Sequence, residues 1–238
     1  VTASPKPLTI VLIPGLMNDG WVWHGVIGAL SRLGSIHIAR TDGCDSLAAM
    51  ARNIAERVSG QMVVIGHSMG GRVALELADQ AADRMVGLAL LDTGAGGPKA
   101  HEAEGRLKLV DLARREGMDS VAKQWMPPML APHRLEDVAL IEDITDMLLR
   151  ADADIFAAQQ KALLSRPDRL DLLASISCPI LAVTGSEDNW APPAQHQEMV
   201  DRAPHARLEV VEGAGHMLPV EAPEKLAEIL TGFIRAIA

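Results

Sequence analysis

Ser68 sits in the run Val63-Val64-Ile65-Gly66-His67-Ser68-Met69-Gly70-Gly71, between an apolar, β-branched stretch and the helix-like segment Arg72–Ala78. A hydroxyl carried on a sharp turn from strand to helix can act as a nucleophile toward a carbonyl carbon. The turn has a steric condition, because the backbone bends tightly and the helix packs close to the strand. Glycine at positions 66 and 70 meets it. The bend lifts the hydroxyl out of the sheet and sets the serine at a helix N-terminus, where unpaired amides and the helix dipole favour developing negative charge. The pattern G-x-S-x-G carries little alone; the strand before it and the helix after it give it weight.

A nucleophilic serine needs a base, and the base needs an acid to orient it. Ile180–Thr184 reads as a buried strand running into the polar loop Gly185-Ser186-Glu187-Asp188-Asn189-Trp190. Asp188 then lies just past the carboxyl end of a strand, the edge on which parallel α/β sheets build their sites. Arg207–Val211 reads as another strand, followed by Glu212-Gly213-Ala214-Gly215-His216, with the histidine at the tip of a glycine-rich loop. Asp92, ending the apolar run Val86–Leu91, is a second candidate acid. His67 adjoins Ser68, but neighbouring strand residues point to opposite faces, so it is expected to pack behind the serine rather than to act as the base. His24, His37, His101, His133, His196 and His205 lack any partner pattern and are expected in surface or core roles.

The elements that must position these residues alternate along the chain. Strand-like runs fall at Leu8–Ile13, Ile36–Ala39, Met62–Ile65, Met85–Leu91, Ile180–Thr184 and Arg207–Val211. Amphipathic helical stretches separate them, such as Leu47–Ala55, and Pro223–Ile237 closes the chain. Continuous apolar strands alternating with helices predict a six-stranded parallel sheet covered on both faces. The alternation breaks after Gly94-Ala95-Gly96-Gly97-Pro98, read as a flexible exit from the core. Beyond it, Glu102–Arg115, Ser120–Met126, Leu135–Arg150 and Ile155–Leu164 have helical periodicity, with Leu135, Val138, Ile141, Ile144 and Leu148 on one predicted stripe. The expected division is a core of residues 1–94 and 168–238 and a helical cap of residues 95–167. The cap leaves the core on the same edge as Ser68, where it would exclude water and choose the substrate.

Together these segments resemble the α/β-hydrolase fold superfamily, in its group with a helical lid. Serine, aspartate and histidine follow in that family's chain order, and Gly185-x-x-Asp188-x-x-x-Pro192 is similar to its acid loop. The resemblance implies a doubly wound α/β fold and a triad of Ser68, Asp188 and His216, with Asp92 in reserve. It also implies an oxyanion hole made by the amide of Leu16, in the loop Pro14–Gly20, and the amide of Met69. Pro14 stands where the family usually has a histidine that braces this loop, and Trp23 where it often has a tryptophan beneath it. The implied chemistry is hydrolysis of small to medium carboxylic esters or lactones through an acyl-enzyme. With His216 as base, activity would require its imidazole to be neutral. Two other readings fit the same fold: a C–C bond hydrolase of vinylogous diketone acids, and a non-catalytic small-molecule sensor. His67 stands where C–C hydrolases often carry asparagine, which favours ester chemistry.

Composition narrows the partners. A net charge of −9 argues against nucleic acid and anionic membrane, leaving a small-molecule substrate. Two cysteines are too few for a disulfide framework; Cys178 is expected in the core and Cys44 in a polar loop. No apolar run approaches the ~20 residues that span a bilayer, and Val1–Pro7 has no signal-peptide core, so a cytoplasmic location is expected. No phosphate loop, dinucleotide fingerprint or metal-ligand spacing appears, so neither cofactor nor metal is expected. Eleven methionines against no tyrosine and two phenylalanines suggest an adaptable apolar pocket, with Met17, Trp125, Met126, Met129, Trp190 and Met217 as its candidates. The cap arginines Arg106, Arg114, Arg115, Arg134 and Arg150 are expected to be solvated, with a carboxylate clamp by one of them as the alternative.

Overall fold

The structure is a computed structural model that describes residues 8–237; Val1–Pro7 lie outside the described residues. Six strands form one parallel sheet in the order β2-β1-β3-β4-β5-β6. They are β1 Thr9–Ile13, β2 Ser35–Ile38, β3 Met62–His67, β4 Met85–Leu91, β5 Ile180–Gly185 and β6 Ala206–Val211. The central strands β1, β3, β4 and β5 are buried along almost their whole length, as their unbroken Val, Ile and Leu runs require when helices cover both faces. Helix α1, His24–Leu30, packs with the C-terminal helix Pro223–Ile237, and α2 Leu47–Arg57 packs on α3 Met69–Gln80. Right-handed crossovers put these two pairs on opposite faces of the sheet. Helix α8, Pro193–Arg202, joins β5 to β6.

Register brings the loop ends to one edge. Ile13 lies beside Gly66, His67 beside Leu91, Leu91 beside Val183, and Gly185 beside Val211. The segments after β1, β3, β4, β5 and β6 therefore leave the sheet side by side. Four helices fill the insertion between β4 and β5: α4 Glu102–Glu116, α5 Met118–Trp125, α6 Val138–Leu148 and α7 Ala153–Leu164. Among the described residues, no helix is long and apolar enough to cross a membrane.

Two expectations about the insertion need correction. The stripe assigned to Leu135–Leu148 is buried only in its second half. Ile144 and Leu148 are in the core, while Val138 is 64% exposed and Leu135 is 42% exposed, outside the helix. The Asp137 side chain caps α6 by accepting from the amide of Leu140, so the helix starts later than periodicity alone suggests. The glycine-rich exit is also pinned rather than free. The carbonyl of Gly96 accepts from Arg72 Nη1 (2.7 Å) and Arg166 Nε (3.2 Å), and Gly97 N–H donates to Asp168. Arg166 itself is buried and grips Glu102 through Nη1 and Nη2 (2.8 and 2.6 Å). Burial works against ionisation of Glu102, but its bonds and charge pairing with Arg166 and Arg106 win and bring its pKa down to about 2.

Candidate active site

Ser68 occupies the turn between β3 and α3 with φ 54° and ψ −116°, a conformation that non-glycine residues adopt at a cost of about 1–3 kcal/mol. The surroundings hold it there. Its amide donates to Leu91 O (2.9 Å), its carbonyl accepts from Thr93 Oγ1 (2.7 Å), and both neighbouring glycines are needed for space. A Cβ on Gly66 would overlap the carbonyl of Gly70, and one on Gly70 would overlap the carbonyl of Ile13.

Ser68 Oγ lies 2.8 Å from Nε2 of His216, and His216 Nδ1 lies 2.9 Å from Oδ2 of Asp188. A carboxylate can only accept, so Nδ1 carries the ring proton and Nε2 offers its lone pair to the serine hydroxyl. The other oxygen of Asp188 accepts from the amides of Trp190 (2.8 Å) and Ala191 (2.9 Å). Burial alone would raise the pKa of Asp188; the facing His216 ring and these amides outweigh it and hold the carboxyl below its ordinary value.

Asp92 is placed elsewhere. Its carboxyl is fully buried and accepts from the amides of Gly185 (3.2 Å) and Leu218 (3.3 Å). Burial, reinforced by the like charge of Asp188, pushes its pKa well above the usual carboxylate range. His67 lies behind the serine with Nε2 donating to the carbonyl of His216 (2.8 Å), and burial holds its pKa down. Trp23 packs edge-on against His67, ring centroids 6.4 Å apart.

The histidine loop is fastened to the insertion. His216 N–H donates to Met129 O (2.7 Å), and the buried Glu221 accepts from Ala131, Gly215 and Met217 amides at 2.8–3.1 Å. Neither the role of Glu221 nor that of Gln159 is visible in sequence. Gln159, buried on α7, accepts from the amide of Met17 (2.8 Å) and donates to Thr41 Oγ1 (3.1 Å). It braces the loop carrying Leu16 where Pro14 offers no side-chain donor. Replacing Gln159 by leucine is expected to lower the turnover of a chromogenic ester by about 10-fold, less than the 10²–10³ of an outright lost donor. Orphaning the Met17 amide should also cost about 1–3 kcal/mol in a denaturant titration.

A cavity of about 80 Å³ brings together Ser68, His216, Leu16, Met69, Trp125 and Trp190. None of the hydrogen bonds among the described residues uses the amides of Leu16 or Met69. Trp190 lies over His216 with ring centroids 5.6 Å apart and meets Trp125 edge-on at 5.4 Å. The cavity shares Arg106, Trp125 and Trp190 with a cleft of about 1020 Å³ along α4 and α5. Of the pocket candidates, only the two tryptophans line it. Met17 faces a separate cavity beside β2, while Met126, Met129 and Met217 are core residues. Adjacency in sequence to a site residue does not set the same side-chain direction. Arg106 also departs from expectation: it is mostly buried and donates to Glu102 (2.7 Å) and Gln160 (2.7 Å).

A profile described as the alpha/beta hydrolase family matches residues 10–229. A pimeloyl-[acyl-carrier protein] methyl ester esterase of Aeromonas hydrophila is 27% identical over 240 residues, covering 94% of each chain. The 3-oxoadipate enol-lactonase 2 of Acinetobacter baylyi is 28% identical over 165 residues, 69% of this chain and 60% of its own. Among solved structures, a thermophilic esterase from Thermogutta terrifontis with malate bound superposes with TM-score 0.89 at 28% identity, covering 98% of this chain and 92% of that one.

Proposed function

This chain belongs to the alpha/beta hydrolase family, and we propose that it is a serine hydrolase of small to medium carboxylic esters or lactones. The observation that carries the reading is the unbroken line from Ser68 through His216 to Asp188, at 2.8 and 2.9 Å, beside two unused amides in one cavity. His216 takes the Ser68 proton as Oγ attacks the carbonyl carbon, and the amides of Leu16 and Met69 receive the oxyanion. The imidazolium faces Asp188 and then gives its proton to the departing alcohol. Water attacks the acyl-enzyme with His216 again as base, releasing the acid and restoring Ser68. Helices α4–α7 act as a cap that keeps bulk water from the acyl group, with Trp125 and Trp190 at the passage to the outer cleft. The esterase and enol-lactonase names of the relatives support the choice of ester or lactone bonds.

The test is intact-mass spectrometry after exposure to a fluorophosphonate, with wild type and Ser68→Ala in parallel. One adduct on wild type and none on the variant is the expected result. An unlabelled wild-type protein, or equal labelling of both, would overturn the assignment of Ser68.

A further inference from the structure

Arg72 lies one turn beyond Ser68 on α3 and lines the same cavity as Ser68 and His216. Its Nη1 donates to the carbonyl of Gly96 (2.7 Å), whereas Nε and Nη2 meet no acceptor among the described residues. Arg106, also on the cavity wall, uses Nε and Nη1 on Glu102 and Gln160 and leaves Nη2 without an acceptor among the described residues. The nearby anions are already engaged. Glu102 takes both Nη groups of Arg166 besides Nε of Arg106. Asp168 accepts from the amides of Gly97 and Leu170, and Asp188 faces His216. Asp92, the acid on the cavity wall, is taken up by the amides of Gly185 and Leu218, and burial raises its pKa well above the usual carboxylate range. Arg72 is thus a guanidinium with no carboxylate of its own, in a protein of net charge −9. Burial, helped by the charge of Arg166, draws its pKa down to about 9, so it is still cationic at neutral pH.

Keeping an unpaired cation in a partly closed site is costly unless an anion completes it. A guanidinium fork matches the flat, two-oxygen face of a carboxylate. We infer that this cavity selects esters or lactones bearing a free carboxylate, received by Arg72 with Arg106 beside it. The inference rests on the hydrolase reading above and names its substrate class.

The experiment compares kcat/KM for the 4-nitrophenyl monoester of glutaric acid, which keeps a free carboxylate, with that for 4-nitrophenyl pentanoate. Wild type is expected to favour the charged ester, and Arg72→Gln to reduce the charged-to-neutral ratio by about 10–100-fold. Arg72→Lys should restore part of the ratio, and Arg106→Gln should lower it in the same direction. A ratio that Arg72→Gln leaves unchanged would overturn the inference, because an arginine that merely pins Gly96 would affect both esters alike. Calorimetric titration of glutarate into Ser68→Ala, with and without Arg72→Gln, needs no turnover. Binding that disappears with Arg72→Gln supports the carboxylate site, and equal or absent binding in both proteins counts against it. If neither ester is cleaved and no fluorophosphonate adduct forms, the hydrolase reading fails separately, and the glutarate titration still decides the carboxylate site.

Discussion

Asp188→Asn should lower kcat on a simple aryl ester by about 10⁴-fold, the size expected when a triad acid stops fixing its histidine. The reason lies in how Asp188 is held. One oxygen accepts two amides, from Trp190 and Ala191, and the other faces Nδ1 of His216. An asparagine must keep its carbonyl oxygen on the two amides, because an NH2 group there would meet two donors. Its NH2 is then forced toward His216 Nδ1, which must present a lone pair. The ring proton moves to Nε2, so the base points a hydrogen at the Ser68 hydroxyl. Asp92→Asn is the control. An NH2 opposite the amide of Gly185 or Leu218 should cost about 1–3 kcal/mol of stability, with the rate changed far less. Stopped assays on both variants, paired with denaturant titrations, check this. A large rate loss from Asp92→Asn and a small one from Asp188→Asn would move the acid to β4.

Gly70→Ala is expected to destabilise the protein by more than about 3 kcal/mol, lowering Tm by about 10 °C, and to abolish fluorophosphonate labelling. The added methyl would occupy the space of the Ile13 and Pro14 carbonyl oxygens, both backbone atoms of the segment leading to Leu16. Neither can rotate away as a side chain could. Relief requires α3 to draw back from β1, separating the amides of Met69 and Leu16. Gly28→Ala gives the contrast. That glycine is exposed in α1, and a Cβ there meets nothing within 4 Å. It should gain up to about 1 kcal/mol from helix propensity. Thermal melts of the two variants, with labelling in the same samples, separate loss of the site from a generic effect of alanine.

The central strands were legible because each is a dense apolar run, a one-dimensional signal, whereas the edge strands β2 and β6 mix polar with apolar residues. Ser68 and Asp188 could be located because each follows such a run, and His216 because it ends the glycine-rich loop after β6. The structure brings their side chains within hydrogen-bond distance. What escaped were residues defined by partners far along the chain. Gln159 is 142 positions from Met17, and Glu221 is 90 from Ala131. In sequence both look like ordinary polar residues of amphipathic helices. Arg72 carries no signal in the chain beyond its place on a helix, and which of the cap arginines meets the site depends on an opposing wall that sequence does not give. The methionine-lined pocket failed for a different reason. Met17 and Met217 are next to site residues in the chain, but their side chains turn into other spaces.

The seam between Met129–Ala131 and the histidine loop sets how traffic can run through this protein. A panel hinged only at its ends could swing wide, but this one is also riveted at its middle, through His216, Glu221 and Gly215. Swinging it would strip partners from two buried amides, those of His216 and Ala131, and pull on the loop that holds the base. On the hydrolase reading, a substrate would then enter along the cleft beside α4 and α5, which shares Arg106, Trp125 and Trp190 with the cavity. Exchanging this insertion for that of a relative would require transplanting the histidine loop with it.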